Sequence, residues 1–571
     1  MSNSSEGRWL PHYDPGVPAT LEPYPNRTLL DYLAEAARDV PAATALWFKG
    51  RTISWSQLQR EANDCASAFA AMGVRRGDRV ALLLPNCPQF LIAEYGAWML
   101  GAVACPLNPI YTEEELVEKF QTLKPRIVVT LSAFYERVCT ARAGTSVERV
   151  VSTSIKEFFP PLIKLVFTLF MEKKLGHRVT IRPGDLDWHS WLAPHRGKTV
   201  STPRPGPQDD AMILLSGGTT GTPKGVMAWH QALVMTGLQF RAWFGTSLVD
   251  GVDSVLLPLP LFHSYGACLV QSVYLMGRFP LGLVPNPRDL DDLVKSIAGF
   301  KPALFAGVPT LYNALLNHKD VKSGKVNFRS LKVCGSGAAP LMAETKRRFE
   351  EITGATITEA YGMTESLIAG VANPIVGPRK LGSVGMPLPD VHVRIVDADN
   401  AEKELPGSEV GEILLRGPQI MRSYFNNPVE TAGMIVTHAD GRTWLHTADL
   451  GYLDEEGYLF IVDRKKDLIK ANGMQVWPRE LEETLAKHPA VADVGVRGFA
   501  DAAHGEIAVA FVVLRTGMNA TEAELRDYCK QHLAYYKVPT RVMFRAELPK
   551  TMIGKVLRRM LTLDEPHPAQ T

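Results

Sequence analysis

From Thr52 onward, apolar and polar residues follow two rhythms in alternation. Leu58, Ala62, Cys65 and Phe69 recur on one helical face, behind a Ser54-Trp55-Ser56-Gln57 segment with capping-box spacing, and Gly73 ends the helix. A short apolar run at 80–84 predicts a strand, Pro88 opens a second helix that Gly101 stops, and 103–107 predicts another strand. A second capping box at Thr112-Glu113-Glu114-Glu115 starts a helix leading to a strand at 127–131. Strands alternating with helices at this spacing predict parallel, doubly wound sheets. Further strands are expected at 211–215, 303–308, 332–335 and 356–361, and a proline-broken one at 255–262. Residues 1–25 show no periodicity and are expected to wrap the surface.

After about Gly382 the texture changes to short alternating strands separated by glycine turns, as at 391–396 and 412–416. The charged stretch Asp463-Arg464-Lys465-Lys466-Asp467 then separates two apolar runs. Beyond it a smaller α+β unit is predicted, with helices from Pro478 and after Thr521-Glu522-Ala523-Glu524 and strands at 491–496 and 507–514. The fold class expected is α/β: a large N-terminal domain of doubly wound sheets with a short-stranded β subdomain, residues 1–462, followed by a small mobile α+β domain, residues 463–571.

The 571 residues are too many for one hydrophobic core, in agreement with that division. Lysine plus arginine number 62 against 60 acids, a balance that gives no reason to expect nucleic acid as partner. Seven scattered cysteines without a C-x-x-C read as buried reduced thiols of a cytoplasmic protein rather than disulfides or a metal site. The polar N-terminus lacks the apolar core of a signal peptide, and no apolar run reaches membrane-spanning length. The most apolar stretch is 158–170, followed by Lys173, Lys174, His177 and Arg178. Its simpler reading is a buried helix. Its functional reading, extended through 178, is an interfacial patch that touches a bilayer and collects an amphiphilic substrate. Nothing in the sequence speaks to oligomeric state.

Chemistry concentrates in the loop after the 211–215 strand: Ser216, Gly217, Gly218, Thr219, Thr220, Gly221, Thr222, Pro223, Lys224. Glycines let a backbone approach a ligand closely, and N–H groups, hydroxyls and an ammonium suit phosphate oxygens. The loop is not the G-x-x-x-x-G-K-[ST] loop: the chain's one Gly-Lys-Thr, at 197–199, has Leu192 where the first glycine belongs. Small-residue turns also follow two later strands. One contains Gly337, Ala338 and Ala339, and the other is Tyr361-Gly362-Met363-Thr364-Glu365. Ligands bind at such carboxyl strand ends.

Together with Thr447-Ala448-Asp449, Arg464 and Leu548-Pro549-Lys550-Thr551-Met552-Ile553-Gly554-Lys555, these motifs resemble the adenylate-forming superfamily of acyl-CoA synthetases, luciferases and adenylation domains. The resemblance runs from about Thr52 to Arg559 and is closest to medium- and long-chain fatty acyl-CoA ligases. It implies that Thr219, Thr220 and Lys224 hold the β- and γ-phosphates of ATP, although many relatives carry a second hydroxyl where this chain has Gly217. It implies that Tyr361 stacks on adenine, Thr364 contacts the α-phosphate, Glu365 binds Mg²⁺, and Asp449 and Arg464 hold the ribose. Ala448 replaces the usual glycine. Lys555 resembles the lysine that meets the carboxylate and α-phosphate, with Lys550 as runner-up. His263 resembles a residue lining the acyl site. Ala471, Asn472, Gly473 and Met474 resemble the loop lining the thiol tunnel, and Lys466 the hinge. The activity implied is ligation of a fatty acid to coenzyme A through acyl-AMP, with ATP and Mg²⁺. The alternatives are an aryl- or other acyl-CoA ligase, a ligase loading a carrier protein, and a non-catalytic module that binds a membrane or a partner.

Overall fold

In the computed structural model, residues 7–216, 223–339, 341–471, 474–501, 505–551 and 554–563 are described. Four sheets organise them. The first runs in the order Leu186–Asp187, Arg149–Thr153, Ile127–Leu131, Arg79–Leu83, Val103–Pro106, Asp210–Ser216, Lys224–Trp229. Its first six strands are parallel, and Asp210–Ser216 and Lys224–Trp229 are antiparallel neighbours. The second sheet has nine strands, with a parallel centre that includes Val255–Leu257, Leu304–Gly307, Val333–Ser336 and Thr356–Tyr361. Helices such as Trp55–Ala71 and Pro88–Met99 pack against each other in the apolar core. Pro88–Met99 is buried all round, so its sequence shows no polar face.

The capping signals act as the sequence suggests. Ser54 Oγ accepts from the N–H of Gln57, and the reciprocal boxes at Thr112/Glu115 and Thr521/Glu524 are both formed. A third, antiparallel sheet of five strands spans 392–464, and a fourth of five strands spans 469–544. In the fourth, Ala508, Ala510 and Val512 face the helices Pro478–Ala486 and Glu522–His532. The alternate residues Val509 and Phe511 face Leu548, Val556 and Leu561 of the chain's last segment.

Two expectations are corrected and a third is refined. The apolar run 255–262 yields a strand only at Val255–Leu257, because Pro258 and Pro260 cannot donate to a ladder. The segment before residue 25 wraps the surface as expected but is tied down at two points. Trp9 is buried, and the buried Asp14 carboxylate accepts from the N–H groups of Ile375, Val376 and Gly377. The stretch 158–170 is not a buried helix: Phe158, Phe159 and Phe167 are buried, but Leu162, Leu165, Leu169 and Phe170 are exposed.

Candidate active site

The site forms where the carboxyl ends of the nine-stranded sheet meet the third sheet. Strand Thr356–Tyr361 ends at Tyr361, whose hydroxyl donates to Asp449 Oδ2 at 2.7 Å. Asp449 Oδ1 pairs with Arg464 Nε at 2.9 Å, and the two residues are register partners on strands Thr443–Leu453 and Leu459–Arg464. Burial and the neighbouring Asp449 carboxylate drive the Tyr361 hydroxyl's pKa far up, so it remains a donor. The Asp449 charge holds Arg464 firmly protonated. An aromatic face, a buried carboxylate and a guanidinium therefore stand together, the donor and acceptor set that a nucleoside needs.

Thr364 and Glu365 follow within a single 3₁₀ turn, Thr364–Ser366. Gly362 is required to reach it: a Cβ there would lie 1.9 Å from the carbonyl oxygen of Ile368. Thr364 Oγ1 lies 3.1 Å from Ser264 Oγ, and Gly337 abuts both the carbonyl of Ala360 and the ring of Tyr265. Ala338 takes a left-handed φ of +68° in the same turn, beside Ala339. The carboxyl ends of three strands thus share one rim. Glu365 is buried, and its Oε1 accepts from Tyr424 Oη at 2.7 Å. Tyr424 also presents its ring to Lys224 Nζ at 5.3 Å, and Lys224 pairs with Glu430 at 2.5 Å.

His263 sits just before this rim. Its Nδ1 accepts from the N–H of Tyr265 at 3.3 Å, and burial pushes its pKa down to about 4, so the ring is neutral at pH 7.

Lys555 reaches the same rim from the far end of the chain. A Cβ on Gly554 would come 2.2 Å from Thr310 Oγ1, so only glycine lets this tract seat against the helix Pro309–Asn317. Lys555 keeps exposed surface but is enclosed by a cleft, and its pKa falls to about 8. Desolvation by the cleft and the positive charges of Arg464 and Arg558 outweigh the pull of Asp449 and Asp467. Lys550 is instead paired with Asp493 on the small sheet.

Residues 33–425 match the model of AMP-binding enzymes, and residues 480–555 match the C-terminal domain of those enzymes. The chain belongs to the AMP-binding enzyme family. It is 36% identical over 562 residues to a long-chain-fatty-acid–CoA ligase of Bacillus subtilis, covering 98% of each chain. It is 32% identical over 563 residues to the protein of the same name in Escherichia coli, covering 97% of each. Among solved structures, the anthranilate CoA ligase AuaEII in complex with anthranoyl-AMP superposes with a TM-score of 0.80 at 26% identity, covering 94% of this chain and 96% of that one.

In this AMP-binding enzyme, Tyr361, Gly362, Thr364, Glu365, Gly337, Ala338, Ala339, Asp449, Arg464 and Lys555 lie in one neighbourhood. Ser216 and Lys224 face each other as register partners across the last rung of a hairpin, 3.4 Å from Ser216 Oγ to the Lys224 carbonyl. Gly217, Gly218, Thr219, Thr220, Gly221 and Thr222 between them lie outside the described residues. So do Asn472 and Gly473, whose flanks Ala471 and Met474 pair across two short strands of the small sheet. Lys466 stands in the 3₁₀ turn Lys465–Asp467, between the end of the third sheet and the start of the fourth. Sequence reading missed Ser264, Thr310, Tyr424, Glu430 and Arg558. Each acts through a partner far away in sequence, and the Met421–Asn427 stretch holding Tyr424 carries only turn signals.

Ala448 stands where the resemblance expects glycine, and it adopts φ +56° within an irregular stretch of its strand. An L-residue there costs about 1–2 kcal/mol, partly offset by glycine's greater unfolded-state freedom. Ala448→Gly is therefore expected to stabilise the fold by about 0.5–1 kcal/mol. A raised midpoint of chemical unfolding would bear this out, and an unchanged or lowered one would contradict it.

Proposed function

We propose that this chain is an ATP-dependent fatty acyl-CoA ligase for medium- to long-chain acids. The observation that carries the reading is the meeting of Lys555 with the Tyr361–Asp449–Arg464 cluster in a chain similar, end to end, to proteins named long-chain-fatty-acid–CoA ligase. A carboxylate oxygen of the acid attacks the α-phosphorus of ATP, and pyrophosphate leaves. The sulfur of coenzyme A then attacks the acyl carbon, AMP leaves, and the thiol proton passes to solvent.

The residues serve charge more than covalent chemistry. Tyr361 offers a face to adenine, while Asp449 accepts from ribose hydroxyls. Lys224 meets the outer phosphates once its bond to Glu430 is exchanged for theirs. Thr364 donates at the α-phosphate, and Lys555 neutralises the carboxylate and phosphate as they approach. Neutral His263 lines the acyl mouth without drawing a second charge toward it. Glu365 fits a hard divalent cation: it is a buried carboxylate oriented by Tyr424 and adjacent in the chain to Thr364. Bound Mg²⁺ supplies neutralisation of the phosphate charge. Lys466 is the hinge about which the small domain turns, bringing Ala471–Met474 to the acyl group for the thiol step. The enzyme meets its amphiphilic substrate at a bilayer, through 158–178.

Acid-dependent exchange of pyrophosphate into ATP tests the reading, with octanoate, palmitate and benzoate as acids and with thioester followed separately on adding coenzyme A. Octanoate and palmitate are expected to support both steps and benzoate neither. Exchange with benzoate alone would favour the aryl-acid reading, and adenylate without thioester would favour the carrier-loading one.

A further inference from the structure

We infer that residues 161–178 form a docking surface that lies flat on an anionic bilayer; this deepens the reading of an enzyme for amphiphilic acids. The helix Pro161–Val166 continues through the wider turn Phe167–Met171. It is amphipathic in the inverse sense for a protein surface. Leu162 (73% exposed), Leu165 (55%), Leu169 (63%) and Phe170 (71%) project into solvent, with Leu175 beyond them. The inward side is partly polar and latched. Lys156 Nζ bonds Glu172 at 2.5 Å and Thr168 Oγ1 at 3.2 Å, and Lys164 pairs with Glu157 at 3.3 Å. One aromatic anchor points inward: Phe167 packs edge-on against Phe159 at 5.5 Å and His177 at 5.4 Å. An ordinary surface helix turns its apolar stripe to the core. This one is held to the core by ion pairs and a single aromatic anchor, while most of its apolar side chains face away. Such a contiguous exposed patch marks a contact surface.

Charge selects the occupant. The only acid between 161 and 178 is Glu172, 12% exposed in its side chain and tied to Lys156, whereas Lys173, Lys174 and Arg178 are all exposed. The rim of the patch is therefore basic, as a polybasic contact with anionic lipid requires. A second copy of the chain, related by a two-fold axis, would set these cations against themselves. Eleven helical residues cover ~16 Å, about half the ~30 Å hydrocarbon core, so the segment lies in the interface plane. Among the described residues no helix is long and apolar enough to cross a membrane.

The test is sedimentation of the full chain with vesicles of phosphatidylcholine, with and without phosphatidylglycerol. The parent is expected to bind the anionic vesicles, less so at high salt. Leu169→Ser with Phe170→Ser is expected to weaken binding at least about thirtyfold, since each residue gives up most of its transfer to the acyl layer. Lys173→Gln with Lys174→Gln is expected to cost about fivefold per charge on anionic vesicles and little on neutral ones. All four positions are exposed, so the unfolding midpoint should not move; Phe167 is avoided because it anchors the helix. A parent that does not bind vesicles, or variants that bind as well as the parent, would overturn the inference. So would a parent dimer, seen by sedimentation velocity, that the Leu169/Phe170 variant dissolves without any vesicle binding. Octanoate-dependent exchange separates this from the ligase reading: a parent that exchanges but ignores vesicles overturns only the surface, and one that binds vesicles but exchanges with no acid overturns only the ligase.

Discussion

Lys555→Ala is expected to lower adenylation about 10²–10³-fold, the usual loss for one preorganised transition-state donor, while sparing thioester formation from supplied acyl-AMP. The size follows from how the lysine is delivered. Gly554 lets its tract seat against Thr310, and three residues beyond the lysine Arg558 fixes the tract's direction. Arg558 grips Glu482 with two bonds at 3.0 and 2.7 Å, and reaches Asp463 at 2.8 Å and Asp467 at 3.1 Å. Glu482 and Asp467 follow the proposed hinge, while Asp463 belongs to the strand before it, so one guanidinium ties the two bodies together with Lys555 beside the Tyr361–Asp449–Arg464 cluster. Lys550 cannot replace the lost ammonium, because Asp493 holds it elsewhere.

The pH dependence carries the same signature. With its pKa near 8 in the free protein, Lys555 is charged below that pH and loses its charge as pH rises through it. The kcat/KM of adenylation should therefore fall above pH about 8, and Lys555→Arg should flatten the fall, since a guanidinium stays protonated. Gly473→Leu is expected to do the reverse of Lys555→Ala, leaving pyrophosphate exchange and blocking the thiol's path. Assaying the half-reactions separately decides the matter: equal loss of both steps in the two variants would sink the rotation model.

Much of the fold was legible because local pattern and tertiary role agree. The run 127–131 is apolar but for Thr130 and becomes a central strand buried on both faces, and 356–361 is bounded as its pattern implies. Legibility failed where local and global demands part. The 158–170 run carries enough apolar residues for a core helix, yet its outward side is the apolar one, which composition cannot reveal. The site divides in the same way. Tyr361, Thr364, Glu365 and Asp449 lie in short motifs whose order carries the resemblance. Their supports are pairings that no window of sequence contains: Tyr361 to Asp449 across 88 residues, Glu365 to Tyr424 across 59, Lys224 to Glu430 across 206.

Glu365→Gln is expected to cost adenylation at least about 10²-fold and to shift the remaining activity toward higher Mg²⁺. The substitution isolates charge. An amide oxygen can still accept from Tyr424 Oη, which burial alone keeps protonated, so the turn Thr364–Ser366 and its link to the 424–430 segment should hold. What disappears is the negative oxygen a hard cation prefers. Tyr424→Phe separates orientation from charge. It leaves the carboxylate in place without its donor, and should cost adenylation less than Glu365→Gln while raising the Mg²⁺ requirement in the same direction. Mn²⁺ offers a readout independent of turnover: its paramagnetic signal in the presence of ATP should report weaker binding in Glu365→Gln than in Tyr424→Phe, and weaker in both than in the parent. An unchanged thermal midpoint alongside these losses places the effect in the metal and not the fold. Near-parental exchange by Glu365→Gln at ordinary Mg²⁺, with unaltered Mn²⁺ binding, would remove Glu365 from the metal site and leave it as a buried acceptor for Tyr424.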